Sequence, residues 1–222
     1  MSSVDRTNKA LQRLSFMGDW LQMKQKIDTK QIMKDIDGFK HHWKPYNLRN
    51  PNNRWGLSIT SLDGGFSGIP DLDSLKEYND EHNVYIDEPD IKTKTPFYPY
   101  VESVLSKFTN HLGRTHLIRK YAGGQFPSHR DHYERENKSF RLFLPIYKCN
   151  PPYNYFILDD KILHFEHGRL YYLNTCKEHI VFTSGRGGKS NFGSDYQSMY
   201  MVANINVNEE STDLVLHNME SS

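Results

Sequence analysis

The sequence predicts a mostly β fold, an antiparallel jelly roll or sandwich with N-terminal and flanking helices, and three observations carry that expectation. Short strand-like runs follow one another from Thr115 to Val207, and Gly, Pro, Asn or Asp punctuates most of the gaps. No helical period intervenes between them, whereas a parallel α/β sheet needs a crossover helix between strands. Aromatic side chains are abundant, with 14 Tyr, 12 Phe and 3 Trp, and they suit a pleated, half-buried surface.

A chain of 222 residues is long enough to bury a substantial core. It divides into an N-terminal helical extension over residues 1–40 and a single β domain over 41–222, whose core spans about 114–207. Lys and Arg number 28 against 27 Asp and Glu, so no global basic stripe points to a polyanion partner. The start, MSSVDRTNKALQRLSF, lacks the apolar centre of a signal peptide, and no run approaches the ~18 apolar residues that would span a bilayer. The chain therefore reads as soluble, cytoplasmic and without a membrane partner. Cys149 and Cys176 lack metal-ligand spacing and read as reduced thiols in or near the core.

Taken in order, Leu11, Leu14, Phe16, Met17, Trp20 and Leu21 follow helical spacing from Asn8 to about Met23. Asp28 is placed to cap a second helix carrying Ile32, Met33 and Ile36. Residues 44–99 are rich in Pro, Asn, Gly and Asp around one strand-like run, Trp55 to Thr60, with Trp55 read as a core aromatic. Val101, Val104, Leu105, Phe108 and Leu112 share one helical face, with Gly113 as a stop. The strand candidates after it are 115–121, 128–133, 140–147, 153–158, 162–165, 170–173, 179–183 and 199–207.

The segment YAGGQFPSHRDHY, Tyr121 to Tyr133, carries the chemistry. Side chains alternate along a strand, so His129 and Asp131 share one face while Arg130 and His132 take the other. His179, on a later strand, is the best third partner. Two imidazoles and one carboxylate leave open coordination positions, as oxygen-activating Fe(II) requires. Zinc accepts the same ligands with a water in the open position.

Around this triad stand Arg119-Lys120-Tyr121-Ala122-Gly123-Gly124, then Arg141-Leu142-Phe143-Leu144-Pro145, then Tyr172-Leu173-Asn174-Thr175 before His179. In order and spacing these segments resemble the 2-oxoglutarate- and Fe(II)-dependent dioxygenases, above all the aspartyl/asparaginyl hydroxylase and proline hydroxylase-like branch. The resemblance implies a double-stranded β-helix, a cupin-like jelly roll, with iron held by His129, Asp131 and His179. It further implies 2-oxoglutarate as co-substrate and O2 as oxidant, hydroxylation of an aliphatic carbon, and release of succinate and CO2.

Such enzymes place an Arg about ten residues beyond the distal His, where a planar guanidinium grips the far carboxylate of 2-oxoglutarate. Here that distance falls at Lys189, inside a Gly- and Ser-rich stretch that also holds Arg186. The candidates rank Arg186, Lys189, then Arg141, with Ser198 as a hydroxyl contact. Arg141 has a separate claim, because the resembled branch uses an Arg there on a co-substrate or substrate carboxylate. Phe143 stands where that branch shows a polar His.

The leading function is thus hydroxylation of an amino acid, free or within a peptide or protein. A nucleic-acid-modifying oxygenase of the same superfamily needs a basic groove, which the near-neutral charge disfavours. A cupin-like metal protein that is not an oxygenase, or a silent binding module, would show no dependence on 2-oxoglutarate. The stretches Arg54 to Ser58 and Asp63 to Phe66 are candidates for the substrate wall.

Overall fold

The computed structural model describes residues 3–50, 52–131, 138–184 and 198–220, with side chains from residue 9 onward. In chain order the elements are α1 (Ser3–Met17), β1 (Trp20–Lys26), α2 (Thr29–Asp37), β2 (Lys44–Pro45), β3 (Arg54–Ser58) and β4 (Thr60–Ser61). There follow α3 (Leu75–His82), β5 (Thr93–Lys94), α4 (Glu102–Leu105), β6 (Leu112–Lys120), β7 (Gln125–His129), β8 (Ser139–Tyr147) and β9 (Asn154–Leu158). The last are β10 (Lys161–Ile162), β11 (Arg169–Leu173), β12 (His179–Thr183), β13 (Ser198–Asn206) and α5 (Glu209–Asn218).

Two antiparallel sheets face each other. The larger has the order β1-β11-β8-β13-β6-β3-β2, and the smaller β10-β9-β12-β7. Strands adjacent in space are distant in sequence, as in β13 between β8 and β6, which is the connectivity of a jelly roll. The expected β-rich fold is the one observed.

Alternation along each strand of the large sheet feeds two cores. On β13, Met199, Met201, Ala203 and Ile205 face the helices, in a cluster with Leu14, Ile32, Ile36, Val104 and Phe108. Tyr200, with Val202 packed at its edge, faces the small sheet, where Ile118, Phe143, Phe156, Phe165 and Val181 complete a second cluster. Because both faces are covered, β8 and β13 read as nearly continuous apolar runs rather than as simple alternation. The site lies in the second layer, at one end of the space between the sheets.

Several local expectations are corrected. The helix read through Met23 ends at Met17, and Trp20–Lys26 is a strand pairing with β11, with Leu21 and Met23 buried. Gly18, at φ +147°, breaks the helix, and burial of alternate residues then follows a period of two. Residues 1–40 thus contribute an edge strand of the large sheet as well as helices.

The helix read from Val101 to Leu112 is a four-residue α-turn followed by a 3-10 stretch, Ser106–His111. Its apolar residues are buried as expected, but Gly113 lies inside β6 rather than stopping the helix. A Cβ at Gly113 would sit 2.7 Å from the Glu88 carbonyl oxygen, so the glycine permits a close crossing of chains. Trp55 is 38% exposed, because it faces outward on β3 while Arg54 beside it is buried. Asp28 caps α2 as read, accepting from the amides of Lys30 and Gln31.

Candidate metal centre and cavity

The entry to the centre is built by a turn. Gly123, at φ +75°, adopts a conformation that side chains resist, and a Cβ on Gly124 would meet the Asn53 and Tyr121 carbonyl oxygens at 2.8 and 2.9 Å. The two glycines let the chain reverse from β6 into β7, which ends at His129. Asp131 lies just beyond the strand, where its amide donates to the Thr175 carbonyl at 2.9 Å. The expectation that Asp131 sits on the strand itself is corrected; the convergence of the two side chains comes from this anchored bend.

His179 opens β12, and it is the register partner of His129 across the β7–β12 ladder. One potential ligand atom from each of His129, Asp131 and His179 lies within 4.8 Å of the others. Each imidazole is oriented by its Nδ1, which donates to a backbone carbonyl two residues upstream: Pro127 at 2.7 Å for His129, Lys177 at 3.0 Å for His179. That tautomer leaves the Nε2 lone pair of both rings for the shared centre. His129 Nε2 lies 3.5 Å from Asp131 Oδ1.

Asp131 is held from its other oxygen. Arg141 Nε lies 3.1 Å from Asp131 Oδ2, while its two terminal nitrogens engage Glu88 at 2.9 and 3.0 Å. Burial pushes the Asp131 carboxyl up, but the Arg141 guanidinium and the His129 hydrogen bond outweigh it and hold the group well below the usual carboxylate range. Burial holds the His179 imidazole below its ordinary value, whereas the hydrogen bond to Asp131 raises that of His129.

Two imidazoles and an ionised carboxylate, with ring tautomers fixed, form a donor set that fits a divalent ion such as Fe(II). They would hold it from one side and leave coordination positions toward the cavity. The same set accepts Zn(II).

The triad opens onto a cavity of about 380 Å³. Apolar and aromatic side chains line it, among them Tyr46, Ile118, Phe126, Phe143, Phe156 and Tyr200, together with polar ones that include Arg54, Asp73, Glu88, Arg114, His116 and Asn204. Arg141 also lines it. Ser198 is fully buried and bonded to the Thr183 hydroxyl at 3.2 Å and Asn154 Oδ1 at 3.4 Å. Arg186, Lys189 and His132 lie outside the described residues.

Sequence reasoning did not single out Glu88, His116 or Tyr46. Glu88 sits in a 3-10 turn, Glu88–Asp90, whose Asp87 capping box is legible but whose approach to Arg141 is not. His116 faces inward on β6 with its Nδ1 unpartnered, a placement that follows from the inward parity of Arg114, His116 and Ile118 once the strand's frame is known. From the sequence, Arg54 enters only as part of a candidate substrate wall. Phe66, from the other suggested wall stretch, instead stacks on His42.

No family model and no curated protein sequence matches the chain. Among solved structures, a Burkholderia pseudomallei oxidoreductase of the 2OG-Fe(II) oxygenase family is similar over 94% of both chains, at 8% identity and a TM-score of 0.51. A prolyl-4-hydroxylase from Pseudomonas putida aligns over 92% of this chain and 98% of its own, at 10% identity and a TM-score of 0.43. A Trichoplax adhaerens prolyl hydroxylase, in complex with a hypoxia inducible factor peptide fragment, aligns over 95% and 93%, at 11% identity and a TM-score of 0.47. The first shows that the chain has the jelly-roll fold of that oxygenase; the other two superpose too loosely to carry an argument. Among the described residues, no helix is long and apolar enough to cross a membrane.

Proposed function

We propose that the chain is a 2-oxoglutarate- and Fe(II)-dependent dioxygenase that hydroxylates an aliphatic carbon of an amino acid, free or within a peptide or protein, releasing succinate and CO2. The observation that carries this reading is the triad: His129, Asp131 and His179 present ligand atoms within 4.8 Å of one another at the mouth of a jelly-roll cavity. Bound Fe(II) would supply oxygen activation coupled to decarboxylation of the co-substrate.

The remaining work belongs to the chain's own residues. Pro127 and Lys177 carbonyls fix the two rings, Arg141 fixes the carboxylate, and the aromatic wall excludes water from the reacting carbon. The cavity lies near the small end of the range of ligand sites, about 300–1,000 Å³. At that size it favours a co-substrate and one amino-acid side chain over a flipped nucleobase with its flanking backbone.

The test is turnover. Iron-loaded protein, given 2-oxoglutarate, O2 and pools of free amino acids or peptides, should yield succinate together with a product heavier by one oxygen. Turnover of a substrate without any need for 2-oxoglutarate would assign the site to a cupin-like activity instead.

A further inference from the structure

We infer that Arg54, on β3 outside the strands that hold the metal triad, is the cavity's carboxylate anchor and grips the far end of a dicarboxylate such as 2-oxoglutarate. The inference deepens the proposed function and rests on it.

Arg54 is 5% exposed, yet it lines the cavity. Its guanidinium lies over the Phe126 ring at 4.3 Å and the Tyr46 ring at 5.5 Å, and one terminal nitrogen donates to the Asn50 carbonyl at 2.7 Å. Its Nε is buried with no hydrogen-bond partner. Among the described residues no carboxylate pairs with it. A guanidinium cannot shed its proton, so burial leaves it a full charge that aromatic faces offset only in part. A ligand carboxylate supplies the missing counter-ion.

Among the described residues, the other guanidinium groups that line the cavity and the nearby Lys120 are already engaged. Arg141 holds Glu88 and Asp131. Arg114 donates to the Asp71 and Asp73 carbonyls at 2.7 and 2.8 Å and lies near the Asp71 carboxyl. Lys120 gives its Nζ to Asn154 Oδ1 at 2.6 Å, and an amine, unlike a guanidinium, relieves burial by becoming neutral.

Register supports the placement. Arg54 pairs with Lys120, and Lys120 pairs with Ser198 at the onset of β13. Register partners present side chains to the same face, so Arg54 stands in the row that includes the first residue of the last barrel strand. Ser198 there carries no charge, and Arg54 brings a cation to that level from a neighbouring strand.

The experiment is anaerobic binding to the full-length protein loaded with Fe(II) or Mn(II), comparing 2-oxoglutarate with pyruvate, which chelates through the same 2-oxo acid but lacks the distal carboxylate. Wild type should prefer 2-oxoglutarate. Arg54→Met should weaken 2-oxoglutarate roughly a hundredfold, leave pyruvate and metal affinity unchanged, and abolish the preference. Arg54→Lys should recover part of it. Retained tight binding and preference in Arg54→Met would overturn the anchor while leaving the oxygenase reading standing. Metal-loaded wild type that binds neither oxo acid would overturn both. Should Arg54→Met lose metal affinity as well, the Arg54→Lys variant decides: preference retained supports the anchor, and preference lost with metal bound normally contradicts a charge-based role.

Discussion

His129 and His179 face each other as register partners on β7 and β12, with ring centroids 4.2 Å apart. A single ladder rung therefore delivers two imidazoles to one point, and a register shift follows between His179 and Val181, beyond which Val181 pairs with Phe126. Asp131 joins them from the bend pinned to Thr175.

Replacing His129, Asp131 or His179 by Ala should each lower Fe(II) affinity by at least about a hundredfold, more than the loss expected from disturbing a supporting residue. Calorimetric metal titration of the folded variants reads this directly. A variant that binds iron as wild type does would remove its residue from the metal set.

Arg141 and Glu88 form a pair only 11% and 16% exposed, and Arg141 also touches Asp131. Arg141→Met should therefore destabilise the fold by about 3–5 kcal/mol, since it removes the cation that balances the buried Glu88 and Asp131 carboxylates. It should also cut metal affinity roughly 10- to 100-fold by releasing Asp131. Adding Glu88→Gln should restore much of the stability but not the metal affinity. Chemical denaturation and metal titration of the single and double variants separate the two effects, and additive losses of stability would show that the pair is not coupled.

Asp71 is buried and accepts from the Ser58 hydroxyl, while its other oxygen is unpartnered. Burial raises its carboxyl above the ordinary range, more than the Ser58 hydrogen bond lowers it. The folded state thus binds this proton more tightly than the unfolded state. Stability is greater while the group is protonated, and it falls as pH rises from the unfolded pKa through the raised folded one. Asp71→Asn removes that dependence and can still accept from Ser58. The stability of the variant relative to wild type should rise from mildly acidic to neutral pH in denaturant titrations; a difference constant with pH would contradict the assignment.

Phe143 packs its ring against Phe165 and Tyr200, each at 4.8 Å, and Phe156 at 5.5 Å. Phe143→Ala should cost about 3–5 kcal/mol. The same change enlarges the cavity next to the triad, so small hydrophobic probes should bind the variant and not wild type. A loss below about 1 kcal/mol would mean that this wall collapses to fill the space.

Much of this architecture was legible in the sequence because it rests on local rules. The Asp28 cap and the strand cores within 140–147, 153–158, 170–173 and 179–183 follow from residue type and period, whereas the strand read at 162–165 is only the two-residue Lys161–Ile162. What escaped reading depends on partners remote in sequence. Trp20 to Lys26 looked helical because Trp20 and Leu21 continue the spacing of α1, and only pairing with β11 decides for a strand. Glu88 meets Arg141 across 53 positions, and no local pattern announces that contact. Among the described residues Arg54 has no carboxylate partner to mark it, and its place in the row with Lys120 and Ser198 appears only when three strands are laid in register.

The most direct test of the central claim is an anaerobic titration of the purified apoprotein with Fe(II) and then 2-oxoglutarate, monitored in the visible range. The account predicts a weak metal-to-ligand charge-transfer band when the co-substrate is added, absent in His179→Ala. Iron bound with normal affinity and no band at saturating 2-oxoglutarate would contradict it.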